Sequence, residues 1–238
     1  MNKVLAFIPN FLSLSNAFFG GLGLYFIVQG KAIEYTLWCM VGSLICDFFD
    51  GFSARKLKAF SPLGKDIDSL SDAVSFGVVP SILLAISLEQ VSFFAPWLSV
   101  LIIAASVYRL AKFNHDERQS TSFLGLPTPA NALFIAGLSV LLREYNDILT
   151  TLPRMIEYKV QGGYLVLILS LSFLLVSDIP MFGLKKVDKG SAELIMLIVV
   201  SLSTLGGIIW LGWGGFAIGL GLYILLNVAR SLSKLAIK

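Results

Sequence analysis

Charge is scarce in this chain. Of its 238 residues only 14% are Asp, Glu, Lys or Arg, where a soluble domain carries about 25%, and the mean hydropathy is +0.83. A water-soluble globule is excluded on that count. Histidine is scarcer still: His115 stands alone, in a polar stretch. Histidine-based acid–base chemistry and histidine-rich zinc sites have nothing to build on. Cysteine is limited to Cys39 and Cys46, seven residues apart in one apolar run; they read as small residues on one helix face and say nothing of compartment. Long polar stretches are missing too. The longest, 112–126, 143–162 and 177–191, are loop-sized and leave no room for a separate soluble domain. The period-two alternation of an outer-membrane barrel is also lacking.

What the chain has is apolar sequence, 56% of the total. A helix needs roughly 20 residues to cross a bilayer, and eight stretches approach that length: Leu5–Val28, Ile33–Arg55, Ile67–Leu88, Phe94–Ala111, Pro127–Leu142, Tyr164–Val176, Ala192–Trp210 and Phe216–Leu232. They predict an all-α, polytopic membrane protein with about eight transmembrane helices. Pro9 and Asn10 interrupt the first apolar run, so it is read as the entry to a helix rather than a cleaved signal peptide.

Lysine and arginine predict the orientation. With the N-terminus in the cytoplasm, Lys31, Arg143, Arg154 and Lys159 fall outside and the other fourteen fall inside. Both termini are then cytoplasmic, in the cell (inner) membrane. The net charge of +3 follows from this bias and calls for no nucleic-acid partner. Tyr35, Trp38, Trp97, Tyr108, Tyr164, Trp210 and Trp213 lie at span ends, where interfacial anchors are expected. Gly215-x-x-x-Gly219 predicts close helix packing or a dimer contact.

Against this background, the stretch Asp47–Asp72 stands out. It sets Asp47, Asp50, Asp68 and Asp72 inside or beside very apolar sequence. Ionisable groups at membrane depth are costly and usually functional, and four of one sign repel one another unless a cation sits among them. Asp47 and Asp50 are three apart, Asp68 and Asp72 four apart, so each pair shares a helix face. A basic turn with Pro62 and Gly64 joins the two helices. An antiparallel pair then faces two carboxylates with two carboxylates, a site for hard divalent cations, Mg²⁺ or Mn²⁺. Two such ions suit displacement at phosphorus. Gly51 and Ala54 leave backbone accessible to a phosphate, Arg55 offers a planar fork of donors, Ser61 a hydroxyl, and Gly64 a place for a flat base. No Ser, Cys or His nucleophile stands beside a base, so no covalent enzyme intermediate is required. Cation- or proton-coupled transport is the competing reading of buried carboxylates, but it should bring helix breaks at the midplane and an internal repeat, and neither is visible.

The same stretch reads D-x2-D-G-x2-A-R-x8-G-x3-D-x3-D, filled by Asp47, Asp50, Gly51, Ala54, Arg55, Gly64, Asp68 and Asp72. This resembles the signature of the CDP-alcohol phosphatidyltransferase family. The resemblance implies a six-helix catalytic core, here about 1–190, followed by two additional helices in 191–238, all within one membrane domain, 1–238. It implies two divalent cations on the four aspartates, Asp72 doubling as general base on the acceptor hydroxyl, and Ser61 at the nucleotide-linked donor. Pro9-Asn10-Phe11-Leu12-Ser13 is similar to a family segment lining the donor site, which adds Asn10 and Ser13 to the CDP-diacylglycerol contacts. Where many members have Arg three residues later, this chain has Asn16. A homodimer is implied by resemblance alone.

The segments 108–114, YRLAKFN, and 123–132, FLGLPTPANA, resemble the branch of that family that uses serine as acceptor. They imply transfer of the phosphatidyl group from CDP-diacylglycerol to L-serine. A zwitterion needs a cation for its carboxylate, and Arg109 and Lys112 are candidates three residues apart, with Asn114 and Asn16 as neutral partners. Glycerol phosphate, inositol phosphate and choline stay open as acceptors; a phosphorylated one should need more cations here. Gly125, Pro127 and Pro129 are expected to shape the loop and start the fifth helix.

Overall fold

A computed structural model of the chain describes residues 3–89, 91–115, 123–146, 148, 154–182 and 192–236. It is an all-α membrane protein. Among the described residues, six segments are long and apolar enough to cross a membrane: Phe7–Val28, Ile33–Leu57, Pro62–Leu88, Ala95–His115, Tyr158–Val176 and Glu193–Ser233. The last, of 41 residues, holds two helices. The helix Thr128–Glu144, at 17 residues, falls just short of that length. The helices follow the predicted stretches in order, and six segments among the described residues are long and apolar enough to cross. Their outer faces carry Phe7, Phe11, Phe18, Phe48 and Phe49 exposed, as suits a chain solvated by lipid.

Two compact units divide the chain, Met1–Ile82 and Leu83–Lys238. In the first, α1 (Lys3–Val28) packs along α2 (Ile33–Leu57) and against α3 (Pro62–Asp72). α1 runs unbroken through Pro9, as the predicted span from Leu5 requires. α2 ends at Lys58, a non-glycine residue at φ 50°, whose N–H donates to the carbonyls of Ala54 and Arg55. This is the left-handed cap that stops a helix by satisfying its last acceptors. α3 begins five residues earlier than the predicted Ile67, because Ser61 caps it: its Oγ accepts the Gly64 N–H at 3.0 Å, and Pro62 occupies the first turn. A π-helical segment, Ala73–Val78, follows Asp72 directly and leads into α4 (Val79–Leu88).

In the second unit the predicted fourth span is broken at Val100 into α5 (Ala95–Ser99) and α6 (Leu101–His115). α7 (Thr128–Glu144) and α8 (Arg154–Val176) follow, α8 starting ten residues before the predicted Tyr164. The chain closes with α9 (Ala192–Leu211), a 3₁₀ turn Gly212–Gly214, and α10 (Gly215–Ala236). The core of this unit gathers Ile102, Leu126, Ile135, Ile168, Leu171 and Leu175. A two-residue antiparallel ladder, Phe123–Leu124 with Pro180–Met181, is the only β-structure among the described residues. There Gly125 takes φ +76°, and a Cβ on it would come 2.7 Å from the Ser177 carbonyl oxygen; only glycine fits. Pro127 and Pro129 flank the start of α7, as expected.

The glycines of α10 are used within the chain. A Cβ at Gly215 would collide with the backbone of Gly207 and Ile208, and one at Gly219 with Thr204. Gly215-x-x-x-Gly219 thus closes the α9–α10 hairpin.

Candidate active site

The first unit brings the acidic pairs together. One carboxylate oxygen each from Asp47, Asp50 and Asp68 lies within 4.8 Å of the other two. α2 supplies the first pair and α3 the third member, as the i, i+3 spacing and the Ser61 cap require. Asp50 is buried, 4% exposed, while Asp47 and Asp68 are half-buried. Asp68 Oδ1 is buried without a hydrogen-bond partner. Three oxygen donors that converge, with one buried oxygen unsatisfied, fit a hard divalent cation. A divalent cation could be held there by Asp47, Asp50 and Asp68.

Neutral groups from α1 orient these carboxylates. Ser13 Oγ, buried, donates to Asp50 Oδ2 at 2.5 Å. Asn16, fully buried, donates from Nδ2 to Asp72 Oδ1 at 2.9 Å. Asp72 therefore stands on the α1 side of α3, outside the group of three. The face-to-face arrangement of two pairs is thus seen as three converging carboxylates with Asp72, the fourth, held by Asn16 one turn beyond Asp68.

The donor-site residues fall around this cluster. A Cβ at Gly51 would lie 3.4 Å from Arg55 Nη1, so the exposed guanidinium folds back over the glycine one turn earlier. Ala54 is half-buried, and its carbonyl accepts from Lys58 and Ala59. At Gly64 the Cβ direction faces Asn10 Oδ1 at 2.8 Å and Ser61 Oγ at 3.0 Å. Gly64 thus lets Asn10 of α1 close on the first turn of α3. Ser61 caps the helix, a role its position in the turn allowed.

Arg109, Lys112 and Asn114 lie on α6, in the second unit. Arg109 is buried, 7% exposed, and donates from Nη1 to Thr128 Oγ1 at 2.7 Å. Lys112 donates to Asp178 Oδ1 at 2.7 Å and to the Val176 carbonyl at 3.2 Å, so it caps the end of α8 and is already ion-paired. Asn114 is half-buried near the end of α6. Three residues escaped the sequence reading. Ser43 and Ser75 both donate to the Asn16 carbonyl, and Thr128 holds Arg109. Small hydroxyls in apolar helices are common enough to pass unnoticed; for Ser75 a signal existed, since it lies three residues beyond Asp72.

Comparison with known proteins decides the family. The model of CDP-alcohol phosphatidyltransferase matches residues 6–173. The chain belongs to the CDP-alcohol phosphatidyltransferase family. Among curated relatives it is similar to the CDP-diacylglycerol–serine O-phosphatidyltransferase of Helicobacter pylori strain 26695, 29% identical over 94% of this chain and 90% of the relative. The protein of that name from Bacillus subtilis is 32% identical over 60% of this chain and 79% of the relative. The archaetidylserine synthase of Methanothermobacter thermautotrophicus is 32% identical over 57% and 59%. The family match spans the whole of the aspartate cluster and Arg109 through Asn131.

Proposed function

We propose that this protein transfers the phosphatidyl group of CDP-diacylglycerol to the hydroxyl of L-serine, giving phosphatidylserine and CMP. The observation that carries the reading is the convergence of Asp47, Asp50 and Asp68 within 4.8 Å inside the matched family segment. Relatives named for that reaction support serine as the acceptor.

Asp72 accepts the proton of the serine hydroxyl, whose oxygen forms a bond to the phosphorus bearing diacylglycerol. The P–O bond to CMP breaks and CMP leaves with the electron pair; the proton on Asp72 returns to solution. Two Mg²⁺ or Mn²⁺ ions, when bound, neutralise the pyrophosphate and the departing CMP. Ser13 holds Asp50 in its ligating orientation. Arg55 donates to the donor's phosphates, with Gly51 beneath it, and Asn10, Ala54, Ser61 and Gly64 shape the donor side. The serine carboxylate is assigned to Arg109, with Asn114 as a neutral partner; Lys112, the further candidate, is paired with Asp178. The protein is one membrane domain, 1–238, in the cell membrane, with both termini and the aspartates cytoplasmic; a homodimer is in keeping with the family.

The test is CMP release by purified protein given CDP-diacylglycerol, a divalent cation and a panel of alcohols. Release with serine alone is expected; release only with glycerol phosphate, inositol phosphate or choline changes the acceptor, and release with none reopens the transport reading. Asp72→Asn should lower turnover by about 10²–10⁴-fold while metal-dependent donor binding survives. Full activity in that variant removes Asp72 as the base.

A further inference from the structure

Asn16 has a fully buried amide side chain in the first unit, and only half of it is satisfied. The residue is 0% exposed. Its Nδ2 donates to Asp72 Oδ1 at 2.9 Å. An ionised carboxylate only accepts, so the NH₂ end must face Asp72 and the oxygen must face away. That oxygen, Oδ1, is buried and has no hydrogen-bond partner. Leaving a buried acceptor unpaired is costly, and such a group calls for an explanation in ligand or water.

The backbone beneath it is locked. The Asn16 carbonyl accepts from Ser43 Oγ of α2 at 3.1 Å and from Ser75 Oγ of the π segment at 3.0 Å. One turn on, Gly20 has no room for a side chain, since a Cβ would overlap the Ser75 hydroxyl and approach its Cα to 3.1 Å. The π segment begins at Ala73, and single π turns inside helices recur at functional sites. Asp72 and Ser75 thus both lean on Asn16, one on its side chain and one on its main chain. Three elements fix the position of a single amide.

We infer that Asn16 is the positioning residue for the base and the reader of the acceptor's ammonium. Its NH₂ end orients Asp72; its unpaired Oδ1 accepts a hydrogen bond from an ammonium on the carbon next to the hydroxyl that Asp72 deprotonates. This rests on the proposed roles of Asp72 and of an amino alcohol as acceptor. In serine the hydroxyl-bearing and ammonium-bearing carbons are neighbours. The two groups can therefore meet two acceptors held side by side, Asp72 and Asn16 Oδ1. A neutral amide suits the place, since it holds a carboxylate by donating and an ammonium by accepting, without cancelling the negative charge that the metal ions need.

The experiment compares wild type, Asn16→Leu and Asn16→Gln with L-serine and with 3-hydroxypropionate, which keeps the hydroxyl and carboxylate but lacks the ammonium. Turnover is read as CMP release, and 3-hydroxypropionate is also read as a competitor of serine. The locks from Ser43 and Ser75 reach the main chain, so they survive both substitutions. Asn16→Leu should lower kcat with serine about 10- to 100-fold, the loss expected for a hydrogen bond to a charged group. It should reduce the preference for serine over 3-hydroxypropionate and leave metal-dependent CDP-diacylglycerol binding intact. Asn16→Gln, with both amide ends, should recover part of that preference. Unchanged kcat and preference in Asn16→Leu overturn the inference, and so does loss of donor binding with the preference kept, which marks a structural role. Failure of the underlying reading looks different: no CMP release with serine in wild type, or full turnover in Asp72→Asn.

Discussion

Around Asp50 and Asp72 the groups that orient acidic side chains are neutral, the Ser13 hydroxyl and the Asn16 amide. Around Lys112 the arrangement is reversed: the lysine meets a carboxylate, Asp178, and a helix-terminal carbonyl, Val176. The first region concentrates negative charge and aims it without cancelling it. The second cancels a charge to tie α6 to the end of α8, where a cation also faces the negative end of the helix dipole. Burying like charges is unfavourable unless an outside ion compensates, so the first arrangement makes sense only with a ligand, and the second is complete in itself. The residue types differ little in how polar they look in sequence; their partners separate a reactive site from a brace.

The largest effect should come from breaking the trio. Asp68→Asn keeps the size of the side chain and removes one negative ligand, the one whose Oδ1 has no protein partner. Turnover should fall to background at millimolar Mg²⁺, and part of it should return at higher metal concentration if the defect lies in affinity. Chelation of divalent cations should abolish wild-type CMP release, and readdition should restore it. Titration of activity against metal for both proteins checks this; equal metal dependence in Asp68→Asn would show that the trio is not the metal site.

Much of this was legible in the sequence, for reasons that the fold makes plain. In lipid every spanning segment must satisfy its own backbone, so helices announce themselves as apolar runs, and the helices lie close to the predicted stretches. The α2 and α3 aspartates were legible because i, i+3 and i, i+4 spacings fix a shared face whatever surrounds them. The ends were less so: α3 starts at Pro62, ahead of the expected Ile67, because Ser61 caps it. The pairing of Asn16 with Asp72 joins residues 56 apart. No local period says which faces of two apolar helices will meet, and the same ignorance hid the Lys112–Asp178 pair and left Gly215-x-x-x-Gly219 open between packing and dimerisation.

A middle-sized effect is expected at Arg109. The guanidinium is buried and held by Thr128, and a lysine there has neither the fork nor the reach to serve Thr128 and a carboxylate together. Arg109→Lys should raise the KM for serine by roughly tenfold, the cost of one charge-assisted hydrogen bond, with a smaller change in kcat and no change in the KM for CDP-diacylglycerol. A rise in the donor KM instead would move Arg109 from the acceptor to the donor side.

The smallest effect should be at Lys112, and it is the sharpest test of the contrast. Its side chain is 26% exposed and that of Asp178 53%, so their ion pair stabilises the fold by about 0–1 kcal/mol. Asp178→Asn should lower thermal stability by no more than that and leave the KM for serine as it is, because the lysine is a brace. Lys112→Met, which keeps the aliphatic length, should do the same. If Lys112 instead served the acceptor carboxylate, freeing it by Asp178→Asn would lower the serine KM and Lys112→Met would raise it. Opposite shifts in the two variants would assign the lysine to substrate, and parallel, small losses of stability with an unmoved KM leave it as the tie between α6 and α8.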